Sequence, residues 1–62
     1  MKVYIKVKAS DEKKWSFLTS NGGTTYLKIH AATWEKSDAE KMIQENAPDN
    51  PDFSWKIQEV AS

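Results

Sequence analysis

His30 is the only histidine of the chain, and cysteine is absent. The side chains that most often act as general base, thiolate nucleophile or soft metal ligand are therefore nearly missing. A base needs a nucleophile and an orienting group within hydrogen-bond reach. No nucleophile motif accompanies His30. Ser16 and Ser54 could share its face, as any surface serine could, so His30 reads as a solvated strand residue. Asp49, Asn50 and Asp52 offer oxygen ligands at short spacing. Pro51 interrupts them, and the glycine and terminal glutamate of a calcium loop are missing, so the run reads as a turn. Gly22-Gly23 leads into a strand pattern and not into a helix opening with Lys-Ser or Lys-Thr, which excludes a phosphate loop. Trp15, Trp34 and Trp55 read as core residues and not as a ligand cage. No catalytic, cofactor-binding or metal-binding residue is assigned, and the reading is non-enzymatic.

A different pattern stands out. In Lys2 to Ala9, Val3, Ile5 and Val7 alternate with Lys2, Tyr4, Lys6 and Lys8, which is period-two spacing with one apolar and one basic face. Lys28 and His30 extend the basic face from a third strand and Lys56 from a fourth, with Tyr26 among them. The candidate binding face is Tyr4, Lys6, Lys8, Tyr26, Lys28, His30 and Lys56. Most acids fall in the connections and the helix: Asp11, Glu12, Glu35, Asp38, Glu40, Glu45, Asp49 and Asp52, with Glu59 the exception. The formal net charge is +0, so the chain reads as a dipole with a basic sheet and an acidic helical side. Lysines among tyrosines suit single-stranded nucleic acid, whose bases stack on aromatic rings and whose backbone follows ammonium groups. The competing reading is that the lysines keep a wet face soluble and block edge pairing. Arginine is absent, which argues against base reading and bidentate phosphate recognition.

These residues need elements to place them. Lys2 to Ala9 is the first strand, and Ser10 to Lys14 is a polar connection. Trp15 to Thr19 is the second strand, and Ser20-Asn21-Gly22-Gly23 is the clearest turn signal. Thr24 to Ala31 is the third strand. A three-residue loop at Asn21 to Gly23 pairs Ser20 with Thr24 and sets Phe17 opposite Leu27 and Trp15 opposite Ile29. All four then face inward, with Leu18 outward beside Tyr26. Ser37-Asp38-Ala39-Glu40 predicts a capping box. Ala39, Met42, Ile43 and Ala47 form an apolar stripe on a helix that stops near Asn46, before Pro48. Phe53 to Gln58 is the fourth strand, with Phe53, Trp55 and Ile57 inward.

The expectation is one domain over residues 1–62, of α+β class and order β-β-β-α-β. A single helix packs on one face of a four-stranded, mostly antiparallel sheet of order 4-1-2-3. The last strand then lies parallel to the first, joined by a right-handed crossover. Strand four beside strand three is the alternative. The predicted core is Val3, Ile5, Val7, Trp15, Phe17, Leu27, Ile29, Trp34, Met42, Ile43, Trp55 and Ile57.

A Phe17-Leu18 strand, the Gly22-Gly23 turn and a third strand ending in Ala31-Ala32 form a recurrent pattern. Trp34, the helix opening Ser37-Asp38-Ala39-Glu40 and the final Ile57-Gln58-Glu59-Val60 complete it. The run from Phe17 to Val60 resembles small uncharacterised proteins encoded by phages and prophages. The resemblance implies a phage accessory protein and transfers no catalytic residue. The expected function is a protein-interaction module with a host or phage protein as partner. The alternative is a nucleic-acid-binding module that uses the basic, tyrosine-bearing face. No cofactor is expected. The apolar runs are too short for a signal peptide or a membrane span, so a cytoplasmic monomer or weak homodimer without membrane contact is expected.

Overall fold

The computed structural model describes residues 1–60. Strand β1, Lys2–Ala9, is central. The other elements are β2 (Ser16–Leu18), β3 (Thr24–Thr25), β4 (Trp34–Glu35), helix α1 (Lys36–Asn46) and β5 (Phe53–Glu59). Two single 3₁₀ turns, Lys28–His30 and Ala47–Asp49, complete the path. The class is α+β, with one α-helix and an antiparallel sheet. No helix among the described residues is long and apolar enough to cross a membrane.

The sheet runs β3-β2-β1-β4, and β5 also pairs with β1. Strand β5 lies along β1 from Val3 to Ala9 and so takes one whole edge of it. The other edge is shared. β2 holds its far end through Lys6 and Val7, and β4 holds its near end through Lys2 and Val3. The last strand thus lies beside the first, but antiparallel, which overturns the expected parallel crossover and the simple four-stranded sheet. The cause is one extra reversal. The predicted third strand stops after Thr25, and the chain turns through Lys28–His30 and returns as β4, antiparallel to β1. The helix then carries it back the other way, so β5 must run against β1.

The helix begins at Lys36, with Glu35 as its N-cap, and no side chain caps it. The Lys36 amide donates to the Met1 carbonyl at 3.1 Å. The predicted capping box is therefore wrong: Ser37 lies inside the first turn. The helix leaves directly from a strand paired with β1, and the carbonyl of Met1, just before β1, satisfies one of the orphan amides of its first turn. The predicted stop near Asn46 is observed.

The buried core is Val3, Ile5, Val7 and Ala39, with Leu18, Trp34, Met42, Ile43, Trp55 and Ile57 packed against it. The helix stripe lays Ala39, fully buried, over β1. Its small side chain lets helix and sheet approach closely. Trp15, Phe17, Leu27 and Ile29 are absent from this core, contrary to the prediction. Phe53 also escapes it and is 43 % exposed at the end of β5.

Candidate binding face

Residues directly opposite in an antiparallel ladder share a face. Val7 faces Ser16 across one edge and Trp55 across the other. Lys6 faces Phe17 and Lys56. Ser16 and Leu18 thus turn to the helix side, and Trp15 and Phe17 turn to the side of Tyr4, Lys6 and Lys8. This reverses the predicted orientation of β2. The odd hairpin connection survives, but the register moves: Leu18 pairs with Thr24 and Phe17 with Thr25. The turn itself is built as its residues require. Gly22 has φ +88, a region that favours glycine. The Asn21 carboxamide oxygen accepts from the Gly23 amide at 3.2 Å and from the Thr19 hydroxyl.

The physical reason for the reversal lies in the size of the two layers. An eleven-residue helix covers only the middle of β1 and its flanks. Buried Ser16 fits where β2 crosses that layer. Among the described residues no α-helix packs on the opposite face, where aromatic rings and lysine stems lie against one another. Tyr4 and Phe17 meet edge-on, 5.4 Å between ring centroids. The Lys6 ammonium lies 5.7 Å from the Phe17 ring centre and that of Lys28 lies 5.4 Å from Tyr4. Trp15 is flanked by two cations, Lys8 at 5.2 Å and Lys56 at 5.8 Å. Each such contact contributes about 0.5–1 kcal/mol at an exposed site.

Of the predicted face, the structure gathers Tyr4, Lys6, Lys8, Lys28 and Lys56 around Trp15 and Phe17. Tyr26 stands at the margin, 60 % exposed, and its hydroxyl donates to Glu12 Oε2 at 3.0 Å. His30 ends the exposed 3₁₀ turn and is not drawn into the cluster; its side chain has no hydrogen bond or ion pair among the described residues. Sequence reasoning missed Trp15 and Phe17, which it placed in the core, and Lys13 and Lys14, which it left in a connection. The signal for all four was the pairing of β2 with β1, and three residues of strand carry too little alternation to reveal it.

The charge distribution is the informative part. Among the described residues, the ion pairs are those of Glu35, with the N-terminal ammonium at 3.1 Å and with Lys2 at 3.2 Å. These neighbours hold the Glu35 carboxyl below its ordinary pKa, the hydrogen bond from the N-terminus first and that from Lys2 second. Lys6, Lys8, Lys13, Lys14, Lys28 and Lys56 have no carboxylate partner there. The expected segregation of acids holds for the helix but not for Glu12, which sits at the margin of the face, nor for Glu35, opposite Lys2 at its end.

Comparison of the chain with protein-family models, with curated proteins and with solved structures gives no match. The site therefore stands on its own geometry. Two hollows flank the sheet. One, of about 330 Å³, opens on the helix side among Leu18, Met42, Phe53 and Trp55, and no charged side chain lines it. The other, of about 750 Å³, is lined by Lys6, Lys13, Lys14, Trp15, Phe17 and Tyr26. Only the second combines aromatic walls with cations.

Proposed function

We propose that the open sheet face binds single-stranded nucleic acid with little sequence preference. The observation that carries this reading is the placement of Trp15 and Phe17 beside Tyr4, among lysines that pair with no carboxylate among the described residues. Stacking surfaces combined with a cationic track are the two requirements for a single strand. The lysines that lie against the rings are the groups a phosphate backbone would recruit, and their departure frees ring faces for bases. Lysine without arginine supplies charge but no planar fork for a base edge, so binding is indifferent to sequence. A duplex hides its bases and offers phosphates alone, so it binds more weakly. The reading is compatible with a phage accessory role.

Fluorescence anisotropy with a labelled single strand, DNA and RNA in turn, and with the matching duplex tests this at low salt. Tighter binding of the single strands supports it, and equal binding of duplex and single strand refutes the stacking component.

A second reading, a protein-interaction module, is favoured by Leu27 and Ile29, which are 57 % and 86 % exposed beside the 3₁₀ turn. Two apolar side chains this open within three residues suit a protein contact. Absence of nucleic-acid binding, together with capture of a protein partner that Ile29→Ser abolishes, would favour that reading.

A further inference from the structure

The cleft beside β2 is more specifically built than the open face. Glu12 is fixed at its rim from three directions. Its amide donates to the Ala9 carbonyl at 3.0 Å, closing a tight turn after β1. Its Oε1 accepts from the Ala9 amide at 3.0 Å. Its Oε2 accepts from the Tyr26 hydroxyl at 3.0 Å, across a sequence separation of fourteen residues. Charge-assisted bonds of this kind are stronger than neutral ones. A carboxylate held by backbone on one side is thus a fixed anchor for the ring on the other. The anchored ring is one wall of the cleft, and Trp15 and Phe17 supply further aromatic surface. Lys13 and Lys14 follow Glu12 directly in sequence and line the same cleft with Lys6. The volume of about 750 Å³ falls in the range of roughly 300–1,000 Å³ typical of small-ligand sites.

We infer that this cleft is a subsite for one unstacked nucleobase of the bound strand. Tyr26 is its pre-oriented stacking wall, Lys13 and Lys14 contact the adjoining phosphate, and Glu12 is a positioning residue that holds Tyr26. The inference rests on the nucleic-acid reading above. Glu12 has two opposed effects. Its charge repels phosphate and weakens binding of any strand, whereas its grip on Tyr26 favours strands that carry bases. Pre-organisation of this kind raises affinity by sparing the cost of ordering the ring on binding.

The two effects separate in a comparison of two probes: a thymidine oligonucleotide and a strand of equal length made of abasic sugar-phosphate units. The readout is the ratio of their affinities, in which the charge effect cancels. Tyr26→Ala lowers the ratio roughly ten-fold, the loss of one base stack. Glu12→Ala lowers the ratio in the same direction while raising affinity for the abasic strand. Glu12→Gln keeps a link to the ring, its carboxamide oxygen accepting from the Ala9 amide and its NH2 donating to the Tyr26 hydroxyl, so it leaves the ratio near wild type and tightens both probes. Tyr26→Phe keeps the ring and removes its anchor, and it lowers the ratio less than Tyr26→Ala. Circular dichroism confirms that each variant is folded. An unchanged ratio in folded Tyr26→Ala and Glu12→Ala, with the thymidine strand still bound by wild type, overturns the subsite and leaves the open-face reading intact. Failure of wild type to bind either probe removes both.

Discussion

Ile5→Ala is the most informative perturbation of the fold. Ile5 sits at the centre of β1, fully buried, opposite Ile57 and inside the cluster that includes Val3, Val7 and Ala39. Truncation removes buried methylene and methyl groups and leaves a cavity, at a cost of about 2–5 kcal/mol. A chain of 62 residues has a total stability of roughly 3–9 kcal/mol at ordinary per-residue values. The substitution therefore removes about a fifth of the stability at least and can unfold the protein outright. Ile5→Val, costing about 0.5–1.5 kcal/mol, keeps the measurement in range. Urea denaturation followed by tryptophan fluorescence reads both, since Trp34 and Trp55 pack against the same cluster. The expected result is a lower midpoint for Ile5→Val with an unchanged slope, and a broad or absent transition for Ile5→Ala. A loss below about 1 kcal/mol for Ile5→Ala would mean that the helix does not close over β1, and the assignment of faces would fall with it.

Three further outcomes follow from the geometry. Ser37→Ala changes stability by less than about 0.5 kcal/mol in the same melts, because Ser37 is exposed and makes no cap bond; a loss near the ~1 kcal/mol of a true N-cap would restore the capping box. Ala39→Leu destabilises by about 1–3 kcal/mol, because a fully buried alanine at the helix–sheet contact has no room for added methylenes; a neutral result would place the helix farther from β1. Folding holds Glu35 below its ordinary pKa, so its contribution is complete above the unfolded-state value and is lost as pH falls through the folded one. Glu35→Gln therefore flattens the loss of stability on the acid side of the carboxylate range, measured as urea midpoints from pH 6 to pH 3, and an acid limb identical to wild type contradicts the pairing.

The long regular elements were readable from the chain alone. β1 announces both faces through eight alternating residues, and the structure puts Val3, Ile5 and Val7 under the helix as that alternation requires. The stripe of Ala39, Met42 and Ile43 likewise located the helix face, and Pro48 its end. The short elements were not readable. β2 has three residues, and the rule that aromatic side chains turn inward sent Trp15 and Phe17 to the wrong side. That rule fails where one face has no covering layer and lysine stems can shield a ring instead. Leu27 and Ile29 alternate as a strand should, but the chain abandons the ladder after Thr25, and tertiary pairing of Trp34 and Glu35 with β1 decides the path. The same short pairing of β2 assembles the candidate site. For that reason Tyr4, Lys6, Lys8, Lys28 and Lys56 were visible in the sequence as one face, whereas Trp15, Phe17, Lys13 and Lys14 were not.

Under the nucleic-acid proposal, the lysines of the open face meet a phosphate backbone. The dependence of single-strand affinity on salt measures this most directly. Each phosphate neutralised contributes a slope of about −0.7 to log K against log salt. If Lys6, Lys8, Lys13, Lys14, Lys28 and Lys56 all engage, the slope is roughly −4. Lys6→Gln and Lys56→Gln each reduce its magnitude by about 0.7 without unfolding the protein. A steep slope that these substitutions flatten one step at a time is the predicted result. A slope near zero, or one that neither substitution changes, would contradict the account.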